Sequence, residues 1–162
     1  MTRRAPEQLE IGLPGLAKAN PRGCPESPGE SRLLAAFLAS GAFQRARCPS
    51  ELIAATSALG HLLTQVPVVV GGARYRLDFA VVSPCGRLWL AVEIDGHEAH
   101  TGREQVRRDR QRERALTAAG WRVLRFTGSE VANDAAACVG EVVGMLQAVR
   151  ATAKRREAGD AA

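Results

Sequence analysis

The chain has very little lysine. Of its 22 basic residues twenty are arginine, and the two lysines, Lys18 and Lys154, leave none between residues 19 and 153. Aromatic residues are also scarce, at 4%. The net charge is +5 and the pI is about 9.6, which favours an anionic partner. The composition is rich in alanine, glycine and arginine, so the preference for arginine over lysine is not itself a functional signal.

Cysteine patterns and long apolar runs are missing as well. Cys24, Cys48, Cys85 and Cys138 form no CxxC pair, so neither a zinc motif nor a small disulfide scaffold is indicated. The apolar runs are too short for a membrane span, and no apolar stretch follows the first arginines as a signal peptide requires. We therefore expect a cytoplasmic protein that makes no membrane contact.

What the chain does contain is enough for a core. Its 162 residues, 46% of them apolar, predict one domain of ordinary size. Residues 1–26 carry four of the eight prolines and predict an irregular arm. The domain is predicted at 27–152, and 153–162 is predicted to be a basic, disordered tail.

Helix and strand signals alternate along the domain. Ser27-Pro28-Gly29-Glu30 is a helix-start pattern, and that helix is expected to end near Gly41. Residues 44–60 are ambiguous, with a short helix at Ser50–Leu59 as one interpretation. His61–Val70 predicts a strand, in which Pro67 favours an edge or a bulge.

The second half predicts a hairpin followed by a strand–helix–strand unit. Two apolar strands flank the turn Ser83-Pro84-Cys85-Gly86, and the later strand should run parallel to the second of them after a helical crossover. The helix before it is expected to bury Val106, Leu116 and Ala119 and to stop at Gly120, and Asp134 opens a last helix. The order indicates a mixed α/β domain with helices on both faces of a sheet of about four strands.

Three acids lie within the predicted hairpin, where apolar strands would normally exclude them. They are Asp78, Glu93 and Asp95. An unpaired carboxylate in a sheet interior is costly, and alternation sends Glu93 and Asp95 to the same side of their strand. Clustered carboxylates suit a hard cation, so we expect a Mg²⁺ site, with Mn²⁺ as a substitute.

Glu30 has two interpretations of equal weight. It is the third residue after the predicted N-cap Ser27, so it is a capping-box glutamate. It is also an acid at the start of a helix, able to supply a fourth carboxylate to the cation site.

Four motifs in order resemble a known family. They are Ser27-Pro28-x-Glu30, Tyr75-Arg76-x-Asp78-Phe79, Glu93-Ile94-Asp95-Gly96-His97-x-x-His100 and Asp109-x-x-Arg112-x-x-x-Leu116-x-x-x-Gly120-Trp121 with Arg125-Phe126. Over residues 27–131 the chain resembles a bacterial domain of unknown function related to the very-short-patch-repair endonuclease, in the PD-(D/E)XK nuclease superfamily.

The resemblance implies a restriction-endonuclease-like three-layer core and cleavage of DNA in a repair context. It also implies that Asp78 and Glu93 hold Mg²⁺. The superfamily's third position is usually a lysine, and here it is Asp95 with no lysine nearby. This departure is shared by the repair-endonuclease-like branch, and it leaves the proton acceptor open.

Two histidines follow the acid pair closely and are candidates for that acceptor. His97 and His100 have a pKa near neutrality as a residue type and lie just past the predicted strand end. The resemblance favours His100. His61, on the earlier strand, is interpreted as structural.

The helix after the site carries a stripe of four arginines at spacings of 4, 3 and 4. It is either a solvated face or a track for DNA phosphates: Arg103, Arg107, Arg110 and Arg114. Asp109 differs, because its spacing turns it toward the sheet, and we predict that it pairs with Arg125 or Arg112 as structural support.

Two classes of function follow from these residues. The first is a Mg²⁺-dependent endonuclease acting on double-stranded DNA, as a homodimer or with a partner specificity subunit. The second is a non-catalytic module on the same fold that binds nucleic acid or a partner protein. The residues do not discriminate DNA from RNA.

Overall fold

A mixed sheet forms the centre of the protein. The computed structural model describes residues 25–45, 53–84, 86–95 and 102–159, and within these there are six strands and three helices. In chain order they are α1 (Pro28–Ala39), β1 (Gln44–Arg45), β2 (Ile53–Ser57), β3 (Gly60–Val70), β4 (Ala73–Val82), β5 (Trp89–Asp95), α2 (Arg103–Ala118), β6 (Trp121–Thr127) and α3 (Gly128–Gly159). The mixed α/β class is confirmed, with six strands rather than about four.

The sheet keeps its strands in chain order, β1 to β6. The strands from β1 to β5 are antiparallel to their neighbours, and β4 and β5 are the predicted hairpin. β6 pairs with β5 in parallel after the α2 crossover, also as predicted. Asp78 is on β4, and Glu93 and Asp95 are on β5. Because these two strands are adjacent, the three predicted acids are neighbours.

The helix considered at Ser50–Leu59 is wrong, because the described part of that range contains β2. β2 pairs with β3 only as far as Leu63, so the rest of β3 has no strand on that side among the described residues. Pro67 lies on this open stretch and, within the described ranges, is paired only with Arg76 of β4, so the predicted edge position is confirmed.

Caps define the ends of the first two helices. Ser27 is the N-cap of α1, with its Oγ accepting a hydrogen bond from Glu30 N at 3.1 Å, and Pro28 is at the first helical position. α2 ends before Gly120, whose φ of +91° suits glycine. A Cβ at Gly120 would also lie 3.4 Å from the Trp89 ring, so the closing turn fits tightly on the sheet.

α3 contains a break at Asp134, where φ is −153° and ψ is 78°. The Asp134 carboxylate accepts a hydrogen bond from Ala137 N at 2.9 Å, so it caps a second helical segment as the sequence predicts. A short turn precedes it, capped by Thr127 and Glu130, each of which bonds the other's backbone N–H. The segment predicted as a disordered tail is helical as far as Gly159.

Helices cover the two faces of the sheet, as expected. One buried cluster joins α1 and α3 to the sheet through residues such as Phe37, Phe79 and Leu146. The other joins α2 through Leu116 and Trp121. Val106 is 37% exposed and does not belong to this core, which corrects its predicted inward position. No described helix has the length and apolarity that crossing a membrane requires.

Candidate nuclease site

The two central strands separate at the point where the acids lie. Pairing between β4 and β5 runs from Val82–Trp89 to Phe79–Val92 and goes no further. β4 nevertheless continues to Ala73 against β3, and β5 continues to Asp95 against β6. The divergence opens a wedge in the sheet, and the residues next in line on the two strands are Asp78 and Glu93.

Asp78 fills part of this wedge. Its Oδ2 accepts a hydrogen bond from Ile94 N at 2.9 Å, so a side-chain oxygen takes the place of a strand carbonyl. Burial raises the pKa of Asp78, and the nearby Glu30 carboxylate raises it further, while the Ile94 N–H opposes both. The folded protein therefore disfavours the charged form of Asp78 when no cation is present.

Glu93 is the most buried of the three acids, at 3% exposure. Both of its oxygens have arginine partners: Arg112 Nη2 pairs with Oε1, and Arg125 Nε lies 3.4 Å from Oε2. Burial raises the pKa of Glu93 despite these two cations, and the charges of Asp78 and Asp95 add to the rise. Asp78, Glu93 and Asp95 thus form one electrostatic group.

Arg112 ties α2 to this wedge. Besides Glu93, its Nη2 donates to the Arg76 carbonyl oxygen at 2.8 Å, a β4 oxygen beyond the last β4–β5 pair. Its guanidinium carbon lies 5.8 Å from the centre of the Tyr75 ring. The Nε atoms of Arg112 and Arg125 are buried, and neither has a hydrogen-bond partner in the described segments. The position of the two arginines is therefore explained by their pairing with Glu93, and not by hydrogen bonds to each of their N–H groups.

The predicted pairing of Asp109 is wrong. Its Oδ1 accepts a hydrogen bond from Gln105 Nε2 at 3.0 Å, and both arginines that it was expected to bind pair with Glu93. The physical reason is desolvation: Glu93 is buried and needs neutralisation, whereas Asp109 is partly exposed to water. Arg112 and Arg125 therefore support Glu93, one of the three predicted acids, and not Asp109.

Glu30 is brought to the Asp78 side of the wedge. It is 7% exposed and lines a cleft of about 430 Å³ together with Asp78 and Ile94. Ser27 caps its backbone, but its carboxylate does not return the bond to Ser27; Oε2 accepts from Glu26 N at 2.9 Å and from Gln65 Nε2 at 2.5 Å. Half of the capping box is present, and the glutamate side chain faces the acids.

The strands are irregular beside Asp78, a feature that sequence reasoning missed. Residues 65 and 78 fall opposite each other in register but are not paired, between the pairs Thr64–Phe79 and Val66–Leu77. On each strand the residues of the α2-side core are three apart here instead of two: Leu63 and Val66, and Leu77 and Ala80. The signals were a glutamine within an apolar strand and, two residues later, Pro67, for which a bulge was one of the two interpretations.

The arginine stripe lies on the outer face of α2. Arg103, Arg107, Arg110 and Arg114 are exposed. Arg112 follows Arg110 by two residues, about 200° around the helix, and it is Arg112 that faces the acids. Arg107 also pairs with Glu104 at 2.8 Å. The stripe therefore does not line the acid wedge, and its role as a phosphate track stays a prediction.

A further arginine borders the cleft that Asp78 and Glu30 share. Arg32, one turn after the start of α1, is exposed and donates from Nη1 to the Ala132 carbonyl oxygen at 3.1 Å. This places a cation at the mouth of the cleft. His97 and His100 lie outside the described residues, whereas Asp95 is described and exposed at the end of β5.

The donor set can be compared with what Mg²⁺ requires. No three His, Cys, Asp or Glu side chains of the described segments are arranged to hold a metal ion. Mg²⁺, however, commonly binds through one or two carboxylates and keeps several water molecules. Asp78 and Glu93 fit that pattern in donor type and number, because each carboxylate oxygen has a second lone pair beyond its hydrogen bond.

A mixed sheet with a helical crossover, and acids at the divergence of two adjacent strands, define a nuclease-like α/β domain. The family profile REase_MTES_1575, of a restriction endonuclease-like family, matches residues 55–146, more than half of the chain. The chain belongs to this family. The match includes Asp78, Glu93, Asp95 and Arg112 and begins after Glu30. No curated protein and no solved structure matches the chain.

Proposed function

We propose that this protein is a Mg²⁺-dependent DNA endonuclease that resembles the very-short-patch-repair type. The observation that carries the proposal is the pair of carboxylates, Asp78 and Glu93, at the point where β4 and β5 separate. Burial raises the pKa of both carboxylates, which means that their charged forms cost free energy at this place. A fold that needed no charge here would have apolar residues instead, so the two acids indicate a functional site. Membership in a restriction endonuclease-like family supports the same conclusion.

Asp78 and Glu93 would hold the cation, with Asp95 and Glu30 adding charge to the site. When bound, Mg²⁺ neutralises phosphate charge and makes a nearby water molecule a better nucleophile. Arg112 and Arg125 fix the orientation of the Glu93 carboxylate from two directions. The hydrogen bond from Ile94 N fixes Asp78 in the same way, so both carboxylates are oriented before substrate arrives.

Proton removal from the attacking water needs an acceptor near the acids. Since no lysine lies between residues 19 and 153, the candidates are Asp95 at the end of β5 and the two histidines that follow it. His100 is our first choice and His97 the second. Substituting His100 is expected to lower the rate without weakening DNA binding.

DNA would approach the cleft that Asp78 and Glu30 line. Arg32 at its mouth is placed to contact a phosphate, which positions the strand without reading its sequence. The outer stripe on α2 would contribute affinity at longer range, in keeping with the net charge of +5. Sequence specificity would then come from elsewhere, such as a second copy or a partner subunit.

One observation favours the alternative of a binding module without turnover. Both oxygens of Glu93 are engaged by arginines, and the described residues contain no assembled three-ligand metal group. A protein that only binds nucleic acid would use this neutralised arrangement as a support for α2.

A nicking assay on supercoiled plasmid separates the two. Wild type should nick with Mg²⁺ and not with EDTA, and Asp78→Ala and Glu93→Ala should be inactive. Glu104→Ala, which removes an exposed carboxylate of α2, is the matched control and should retain activity. Equal background from wild type and the site variants, with DNA binding intact, would exclude the enzyme and leave the binding module. An RNA duplex in parallel identifies the polymer.

A further inference from the structure

Gln65 is the one non-glycine residue of the described segments with a positive φ, at +51°. It lies inside β3, where that backbone conformation is unfavourable for a side chain other than glycine or asparagine. It is also a buried amide, 5% exposed. Such conformations persist where surrounding contacts hold them, and they are concentrated at functional sites.

The contact that holds Gln65 is with an acid of the site. Gln65 Nε2 donates to Glu30 Oε2 at 2.5 Å, joining β3 to the first turn of α1 across 35 residues. The other described donor to this carboxylate, Glu26 N, also binds Oε2. As far as the described donors go, Oε1 of Glu30 is therefore the oxygen left for the cleft that it lines with Asp78.

The other end of the Gln65 amide has no partner within the part of the chain that the structure describes. Its Oε1 is buried and has no hydrogen-bond partner among the described residues, although buried acceptors normally have one. A glutamine that served packing alone would gain from replacement by an apolar residue at this position. Gln65 also lies opposite Asp78 in the register of β3 and β4, and Glu30, which its amide contacts, lines one cleft with Asp78.

We propose that Gln65 is a positioning residue that fixes the Glu30 carboxylate beside Asp78 and so makes Glu30 a member of the cation site. This inference rests on the proposed function, because it assigns Glu30 a place in that same site. Groups that orient a metal-binding carboxylate from behind typically change metal affinity by about 10- to 100-fold when they are removed.

The test measures Mn²⁺ binding to the metal-free protein by calorimetry, beside the melting temperature. Gln65→Met keeps the volume and removes the donor, while Gln65→Gly removes the donor and relieves the positive φ. The two should differ in melting temperature and yet both raise the Mn²⁺ dissociation constant by about 10-fold or more. In a Glu30→Gln background, Gln65→Met should cause no further loss. Gln105→Met, which removes an exposed glutamine donor to Asp109, is the control and should bind Mn²⁺ as wild type does.

The outcomes separate this inference from the proposed function. A change of less than about twofold in both Gln65 variants overturns the inference, and wild-type nicking would then leave the endonuclease standing. Wild type whose Mn²⁺ affinity falls on substitution of Gln65, but which does not nick DNA, supports the inference and overturns the endonuclease. Wild type that neither binds Mn²⁺ nor nicks overturns both.

Discussion

Replacing Arg112 by methionine would leave Glu93 with one cation instead of two and would remove the donor to the Arg76 carbonyl. Breaking a buried ion pair from one side costs about 3–5 kcal/mol. Two features lower that figure here: Arg125 still faces Glu93, and the Arg112 side chain is 25% exposed. Loss of the contact with the Tyr75 ring adds about 0.5–1 kcal/mol.

We therefore expect Arg112→Met to lower the free energy of unfolding by about 2–3 kcal/mol in urea denaturation at pH 7. For a chain of this length that corresponds to a fall in Tm of about 4–12 °C. Arg108→Met is the matched control, because Arg108 lies one turn earlier on α2 and pairs with the exposed Glu104 at 3.4 Å. It should cost no more than about 0.5 kcal/mol.

The cost should also depend on pH. Burial raises the pKa of Glu93 and Arg112 opposes that rise, so the pKa should be higher still in Arg112→Met. For an acid with a raised folded pKa, the native state binds more protons than the unfolded state between the two pKa values. Stability is thus lost as the pH rises from the ordinary glutamate pKa through the raised one. The difference between variant and wild type should be small at pH 4 and largest at neutral pH.

A double-mutant cycle attributes the effect to the Glu93 contact. Arg112→Met should cost at least about 1 kcal/mol less in a Glu93→Gln background than in wild type. A cost below about 1 kcal/mol for Arg112→Met, or one equal to that of Arg108→Met, would show that Arg112 does not stabilise the fold through Glu93. So would a cost that does not change between pH 4 and pH 7.

Three further predictions concern the frame of the site and its outer surface. Asp134→Ala should lower the free energy of unfolding by about 1 kcal/mol in denaturant titration, since the cap of the second α3 segment is lost; an unchanged midpoint would contradict the cap. Gly120→Ala should lower it by about 1–2 kcal/mol, because φ is +91° and the new methyl group meets Trp89; an equal or higher Tm would disprove this. The double variant Arg110→Gln/Arg114→Gln should make the negative slope of log K for DNA binding against log salt concentration less steep, by up to about 2. An unchanged slope would show that the stripe does not contact phosphates.

The strand order and the neighbouring acids could be predicted from the sequence. Short-range signals carry that information: the turn after Ser83 pairs β4 with β5, and a helix between β5 and β6 requires a parallel return. Once those strands are adjacent, Asp78 and Glu93 are at the same end of the sheet. No knowledge of side-chain packing is needed for that step.

The partners of the acids could not be predicted in this way. Arg112 and Asp109 are three residues apart on α2 and both half-buried, and which of them meets which charge depends on how far the helix is shifted along the sheet. That shift is set by long-range packing, such as the contact of Leu116 with the α2-side core. Sequence spacing therefore predicted that Arg112 has a supporting role, but it paired Arg112 with Asp109 and not with Glu93.

The prediction for β2 failed for a related reason. Ile53–Ser57 contains alanines that are compatible with a helix, and its neighbour β3 supplies the ladder that makes it a strand. Tertiary pairing overrides local propensity in such segments. The irregular rung at Gln65 is also a tertiary feature, because it depends on both strands losing alternation at the same place.

The most direct test of the central claim uses Asp78→Asn, which keeps an acceptor for Ile94 N and removes the charge that burial and Glu30 disfavour. Without metal this variant should be more stable than wild type at pH 7, by about 0.5–2 kcal/mol. Plasmid nicking in Mg²⁺ should be measured on the same preparation as its Tm and its DNA affinity. If Asp78 holds the catalytic cation, DNA binding should be unchanged, the Tm equal or higher, and nicking slower by at least about 100-fold. Nicking at the wild-type rate would contradict this role of Asp78.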